Sequence, residues 1–167
     1  MFFRHSISTC QVPTTSVTVT ADGKPRMNIE YTLSKDKSEV TFSASLLSDE
    51  DVARGAYLGV GLSAAGKMGT PEEPSDIFVC YSGYGRQNVL SRHWVTGYEL
   101  NQGVDWPGTC VVADGTMAWT MPVKKQNDQQ RSIILSDDGP SINIFIWAIG
   151  SGPTGYHKYR GNVEIDI

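Results

Sequence analysis

The chain has 167 residues, of which 40% are hydrophobic and 19% charged, so it suits one domain with a buried core and excludes a disordered or coiled-coil protein. Its 14 Lys and Arg against 18 Asp and Glu give a formal net charge of -4, which argues against a nucleic-acid partner. No apolar run approaches the roughly 20 residues that span a bilayer, so the sequence predicts no membrane span.

Nine segments rich in Val, Ile, Thr, Tyr and Trp alternate apolar with polar residues, as β-strands do. In chain order they are residues 16–20, 27–33, 39–47, 56–63, 76–82, 89–95, 117–123, 142–149 and 162–167. Turn-forming pairs such as Asp22-Gly23 and Asp114-Gly115 separate them, and 48–54 and 127–132 are predicted to form short helical turns. The pattern predicts an all-β fold, an antiparallel sandwich of two sheets. A tail at 1–15 precedes this one domain at 16–167.

Two glycine-rich segments interrupt the strand pattern. The first, 59–69, ends a strand in a loop that carries Met68, and the second, 147–161, carries His157 in a loop between two strands. One thioether and one imidazole make a poor metal site alone, but they are a complete pair of axial ligands for a haem iron, because the porphyrin supplies the other four. The alternative is structural, since a single Met often fills a core and a single loop His is often solvated.

Motifs for other chemistries are absent from the sequence. It has no G-x-S-x-G nucleophile elbow, no phosphate-binding loop, no dinucleotide-binding fingerprint and no zinc-ligand spacing. Glu72, Glu73 and Asp76 leave calcium binding open, although a solvated acidic loop explains them better. We therefore predict no catalytic residues and do not expect the domain to be an enzyme by itself.

Three cysteines, Cys10, Cys80 and Cys110, allow one disulfide and one remaining thiol, and they lack C-x-x-C spacing. We predict a Cys80–Cys110 bridge, because a strand cysteine and one just beyond the Trp106-Pro-Gly turn can face each other in a hairpin-like region. A bridge from Cys10 to either cysteine or to another chain is the alternative, as are free thiols.

Four stretches are together similar to the successive landmarks of DOMON domains. They are Gly59-Val-Gly-Leu-Ser-Ala-Ala-Gly-Lys-Met68, Ser75-Asp-Ile-Phe-Val79, Ile146-Trp-Ala-Ile-Gly150 and His157-Lys-Tyr-Arg-Gly161. The resemblance runs from about Val17 to the last residue and implies an immunoglobulin-like β-sandwich. In the cytochrome branch of that family, which includes the haem domain of cellobiose dehydrogenase, a Met and a His hold haem b.

The resemblance implies that Met68 and His157 are the two haem ligands. Further candidates to line the haem pocket or bind a propionate are Tyr81, Tyr84, Tyr156 and Arg160. The expected function is a b-type cytochrome module that relays single electrons outside the cell or on the exterior face of a membrane. Its expected partners are a redox donor and acceptor, such as a flavin domain or a transmembrane haem protein, in the setting of a larger oxidoreductase.

Two departures from the family pattern concern the axial Met. Residues 69–75 lengthen the spacer that follows Met68, which either moves the Met or extends a surface loop. Met121 is a competing thioether on a predicted strand. We prefer Met68, because Met121 follows the strand pattern with Met117 and Trp119, where core packing explains it.

A second reading of the sequence needs no haem. Trp94, Tyr98 and Trp106 lie close together in a glycine-containing region, and exposed aromatic rings can stack on sugars. Buried tryptophans of a sandwich explain the same residues equally well. The alternative function is therefore a β-sandwich that binds carbohydrate or a partner protein.

Overall fold

Eleven antiparallel strands in the described residues form two sheets that enclose a common core. The structure, a computed structural model, describes residues 12–100, 102–135, 142–151 and 157–167. One sheet runs in the order β1 (Thr14–Ala21), β2 (Lys24–Leu33), β3 (Glu39–Leu46), β9 (Thr116–Pro122) and β8 (Gly108–Val111). The other runs in the order β11 (His157–Ile165), β10 (Asn143–Ser151), β4 (Ala56–Ser63), β5 (Ser75–Gly83), β6 (Arg86–Val95) and β7 (Val104–Asp105). The predicted all-β antiparallel sandwich is confirmed.

Strand boundaries follow the predicted pattern closely in most of the longer strands, but poorly at β11 and in the two shortest strands. The predicted strand at 56–63 coincides with β4, whereas the predicted strand at 162–167 begins five residues earlier, at His157. Strands β7 and β8 have only two and four residues, too few for an alternating pattern to show in the sequence.

One of the two predicted helical turns is present. Helix α1 (Asp49–Ala53) begins after Ser48, whose side chain accepts a hydrogen bond from the Asp51 N–H. The prediction for 127–132 is wrong, because that segment forms bends and turns. Polar side chains satisfy its backbone there: the N–H of Gln126 donates to the Gln130 side chain, and that of Gln129 to Asn127. A 3-10 helix at Val112–Asp114 was not predicted.

Aromatic rings from both sheets fill the inner core. Phe42 and Trp119 come from the five-stranded sheet and lie 5.3 Å apart between ring centroids. Phe78 from β5 stacks on Trp119 at 5.2 Å, and Phe145 from β10 lies 5.1 Å from Phe42. Met121 is buried in this same cluster, which agrees with core packing as its role.

A disulfide joins the two sheets. Cys80 on β5 is bonded to Cys110 on β8, with 5.4 Å between their Cα atoms, so the predicted pairing is confirmed. The hairpin-like setting expected for it is wrong, because β5 and β8 belong to different sheets. Cys10 lies outside the described residues.

A second, smaller apolar cluster lies on the outer face of the six-stranded sheet. Its buried members are Tyr57, Ile77, Val79, Val95 and Ile146, against which Met68, Tyr81 and Ala148 pack. In β4 the even-numbered residues from Ala56 to Leu62 enter the inner core, so the odd-numbered residues face outward. All eight residues of β4 are nevertheless buried, because other parts of the protein also cover the outer face of this strand. No helix in the described ranges is long and apolar enough to cross a membrane.

Candidate functional site

A cavity of about 420 Å³ opens on this outer face, over strands β4, β5, β10 and β11. Met68 and His157, far apart in the sequence, both line it. The remaining lining residues are Tyr57, Gly59, Gly66, Lys67, Ile77, Val79, Tyr98, Leu100, Ile146, Trp147, Ala148, Arg160, Gly161 and Asn162. Its volume falls within the roughly 300–1,000 Å³ of ordinary small-molecule and cofactor sites.

Small residues on the middle strands keep the floor of the cavity low. Gly59 on β4 pairs with Ala148 on β10 and with Val79 on β5. A Cβ added to Gly59 would meet no atom closer than 3.9 Å, so any larger side chain there would extend into the cavity. The small residues therefore leave open space above the middle of the sheet.

The wall that carries Met68 is the turn that follows β4. Its backbone is held at Lys67, whose carbonyl oxygen accepts hydrogen bonds from the hydroxyls of Ser63 (2.7 Å) and Ser75 (3.2 Å). The Asn162 amide on β11 donates to the carbonyl oxygen of Gly66 at 3.1 Å. These bonds fix the backbone immediately before Met68, and the Met side chain packs on the outer apolar cluster.

The long spacer after Met68 forms a turn of its own. The N–H of Thr70 donates to the carbonyl oxygen of Glu73, and the Arg131 guanidinium donates to that of Pro74 at 2.7 Å. Gly69 passes so close to the backbone of Val95 and Ser75 that a Cβ would clash there. The extra residues therefore extend a surface turn, while Met68 stays at the cavity.

The second candidate ligand, His157, is the first residue of β11 and not part of a loop as predicted. Ile149 pairs with Tyr159, but Gly150 pairs with His157, so a bulge at Lys158 breaks the register. Bulges redirect side chains. This one brings His157 to the cavity together with Arg160, which pairs with Ala148.

Tyr57 is a hydrogen-bond partner of His157 at the cavity. Its hydroxyl bonds to His157 Nδ1, and the two rings meet edge to face with centroids 6.1 Å apart. Burial, and then the Arg160 charge, lower the pKa of His157, which favours the neutral imidazole that ligates metals. Burial raises the pKa of Tyr57 to about 12, so this hydroxyl stays protonated.

Charged groups at the described part of the cavity are cationic. Lys67 and Arg160 line it, and no Asp or Glu is among the described lining residues. Such a site favours a ligand with an apolar body and anionic groups.

Of the other residues predicted to line the haem pocket, only some lie at or near the cavity in the described part of the chain. Arg160 lines the cavity, and Tyr81 packs on the outer apolar cluster without being part of the cavity lining. Tyr84 does not reach the cavity, because it sits in the turn between β5 and β6 with 72% of its surface exposed. Tyr156 lies outside the described residues.

Sequence reasoning missed Tyr57 and the glycine floor. The alternation of β4 would have put Tyr57 and Gly59 on one face of the strand. Nothing in the sequence, however, reports the pairing that brings β4 beside β10 and β11, and without that pairing neither residue points to His157.

The aromatic residues of the haem-free reading do not form one platform. Tyr98 is 81% exposed beside the cavity. Trp106 packs against the inner core, edge to face with Phe78 at 5.5 Å, and its Nε1 donates to the carbonyl oxygen of Thr120 at 3.2 Å. Trp94 is half-buried. Only Tyr98 of the three therefore lies at the candidate site.

Comparisons with known proteins found no matching family model, and no curated protein or solved structure matches the chain significantly. Across the described ranges, no group of three or more His, Cys, Asp or Glu side chains could hold a metal ion. A haem iron needs fewer protein ligands than a bare metal ion, because two axial side chains complete its coordination.

Proposed function

We propose that this domain binds haem b in the cavity through Met68 and His157 and relays single electrons, as the resemblance to DOMON cytochromes implies. The observation that carries the proposal is the convergence of these two side chains on one cavity of about 420 Å³. They come from separate elements, one from the turn after β4 and one from β11, and nothing in their sequence spacing requires them to meet.

The residues around the cavity fit the chemistry of a haem. Gly59 and Ala148 leave space above the sheet, and Ile77, Val79 and Ile146 offer apolar surface to a porphyrin ring. Arg160 and Lys67 carry positive charge that suits propionates. When bound, a haem with both axial positions taken by protein side chains supplies one-electron redox chemistry.

Location and partners follow from the same proposal. The Cys80–Cys110 bridge supports an oxidising compartment, since disulfides persist outside the cytosol. The domain then works outside the cell or on the exterior face of a membrane. It takes electrons from, or passes them to, a flavin domain or a transmembrane haem protein, and is a relay without substrate chemistry of its own.

Haem uptake tests the proposal directly. Wild-type protein incubated with haemin is expected to give the sharp spectrum of a low-spin, six-coordinate haem. His157→Ala should remain folded, because this half-buried residue at a strand end is not in the inner core, but should lose that spectrum. His93→Gln is the matched control, since His93 is buried on β6 and does not line the cavity.

The thioether is tested in the same experiment. Met68→Leu keeps an apolar side chain of similar size and removes the sulfur, so it should convert the spectrum to a five-coordinate or high-spin form. Met121→Leu makes the same change in the inner core and should leave the spectrum unchanged. A wild-type protein that takes up no haem, or a His157→Ala variant with the wild-type spectrum, overturns the proposal.

One observation favours the alternative, a haem-free domain that binds carbohydrate. Tyr98 exposes its ring beside the cavity, where it could stack on a sugar. A wild-type protein that stays colourless with haemin, binds an oligosaccharide by calorimetry and loses that binding in Tyr98→Ala would support this function instead.

A further inference from the structure

Three strands place Tyr57, Gly150 and His157 in one row across the six-stranded sheet. Tyr57 on β4 pairs with Gly150 on β10, and Gly150 pairs in turn with His157 on β11. The outer two residues are therefore two strands apart, roughly 10 Å between backbones. Their side chains nevertheless touch, through the hydrogen bond between the Tyr57 hydroxyl oxygen and His157 Nδ1.

The glycine in the middle of the row makes this contact feasible. A Cβ at Gly150 would clash with the Tyr57 ring, which lies across the β10 backbone at this position. The bulge at Lys158 falls at the same pairing and brings His157 toward the ring. The missing side chain at Gly150, the bulge at Lys158 and the Tyr57 ring thus together bring the Tyr57 hydroxyl and the His157 imidazole into contact. Tyr57 is only 4% exposed, so surrounding side chains hold its ring in place.

We propose that Tyr57 is the positioning residue of His157, holding its ring so that Nε2 is the nitrogen presented to an axial ligand site. This inference rests on the proposed haem function. Nδ1 donates its proton to the Tyr57 oxygen, which fixes both the tautomer and the plane of the ring. Ligand histidines generally have such a partner on the other nitrogen, and its loss typically costs 10–100-fold in affinity.

The hydroxyl has a second effect, on the reduction potential. An acceptor at Nδ1 increases the electron donation of the imidazole to the iron and stabilises the ferric state. Removing the acceptor therefore raises the potential. A residue that only filled space beside His157 would affect neither the tautomer nor the potential.

Tyr57→Phe tests the inference, because it removes the hydroxyl and keeps the ring over Gly150. In haem-free protein at pH 8, ¹⁵N NMR of the His157 ring should show the Nδ1-protonated tautomer in the wild type and a mixture in the variant. In haem-loaded protein, the variant should release haem about 10-fold faster and have a higher reduction potential. Tyr81→Phe, a tyrosine of the same apolar cluster outside the cavity lining, should match the wild type in all three measurements.

Different measurements would overturn the proposed haem function and the proposed role of Tyr57. A wild-type protein that takes up no haem overturns the function, and with it the role of Tyr57. If the wild type takes up haem but Tyr57→Phe leaves the tautomer, the release rate and the potential unchanged, the function stands and the inference about Tyr57 is overturned.

Discussion

Gly59 shows how one missing side chain can define a site. It sits on β4 between two paired neighbours and lines the cavity, and the absence of a side chain leaves the space above it open. The residue has no chemistry of its own. Its importance follows from where the strand places it, since in the inner core a glycine would leave a void.

Filling this position should block the cavity without unfolding the domain. We expect Gly59→Leu to abolish haem uptake, because the side chain projects into the cavity, and to change the free energy of unfolding by less than about 1.5 kcal/mol, since a Cβ at this position meets no close atom. A haemin titration together with urea unfolding measures both effects.

A leucine added elsewhere controls for the extra apolar surface. Ser16→Leu, exposed on β1 of the other sheet, should bind haem as the wild type does. Uptake by Gly59→Leu equal to that of Ser16→Leu would show that the ligand does not lie on this floor.

At the scale of elements, the turn after β4 depends on the serines at its two ends. Ser63 ends β4 and Ser75 begins β5, and both hydroxyls donate to the carbonyl oxygen of Lys67. Ser63 Oγ also accepts hydrogen bonds from the N–H groups of Ala65 and Lys67. Two neighbouring strands therefore hold the backbone that carries Met68.

The two serines should contribute unequally. Ser63→Ala removes three hydrogen bonds and should destabilise the domain by about 1–3 kcal/mol, whereas Ser75→Ala removes one and should cost about 1 kcal/mol. Haem release should accelerate in the same order, because Met68 loses its fixed backbone. Ser16→Ala is the control. Equal release rates in all variants would show that this turn does not position the Met.

Most of the longer strands were predictable from sequence because alternation is a local property, and β4 was predicted to the residue. His157 was predicted in a loop because the bulge that starts β11 depends on pairing with Gly150, which the local sequence does not reveal. Tyr57 was not predicted as a site residue for the same reason, because its contact with His157 depends on the pairing of β4, β10 and β11. Sequence motifs suggested Met68 and His157 as candidate ligands, but only the strand order brings their elements to one face of the sheet.

At the scale of the whole molecule, the disulfide is a covalent link between two sheets that enclose a common apolar core. Cys80 and Cys110 are 30 residues apart in the chain, one on a middle strand and one on an edge strand of the opposite sheet. A cross-link of this kind restricts the unfolded chain more than it alters the folded one.

Reduction of this bond should lower the free energy of unfolding by about 3–4 kcal/mol, the value expected for a loop of this length. Urea unfolding of the wild type with and without a reductant measures the loss while leaving the core packing intact. The Cys80→Ala, Cys110→Ala double variant should show no response to the reductant. A wild type that is equally insensitive would contradict the bridge.

The alternation of β4 also separates two kinds of selective pressure within a single strand. Leu58 and Val60 are constrained by packing in the inner core. Tyr57 and Gly59 are constrained by whatever ligand occupies the cavity on the outer face. Positions 57 and 59 can therefore be redesigned for a new ligand while the even-numbered ones keep the fold unchanged. Gly61 and Ser63 are constrained, because a Cβ at Gly61 would clash with the backbone of β5 and Ser63 holds the turn after β4. A related protein that no longer bound the ligand could keep the same fold. Its sequence would then differ mainly at the residues on the outer face of the six-stranded sheet.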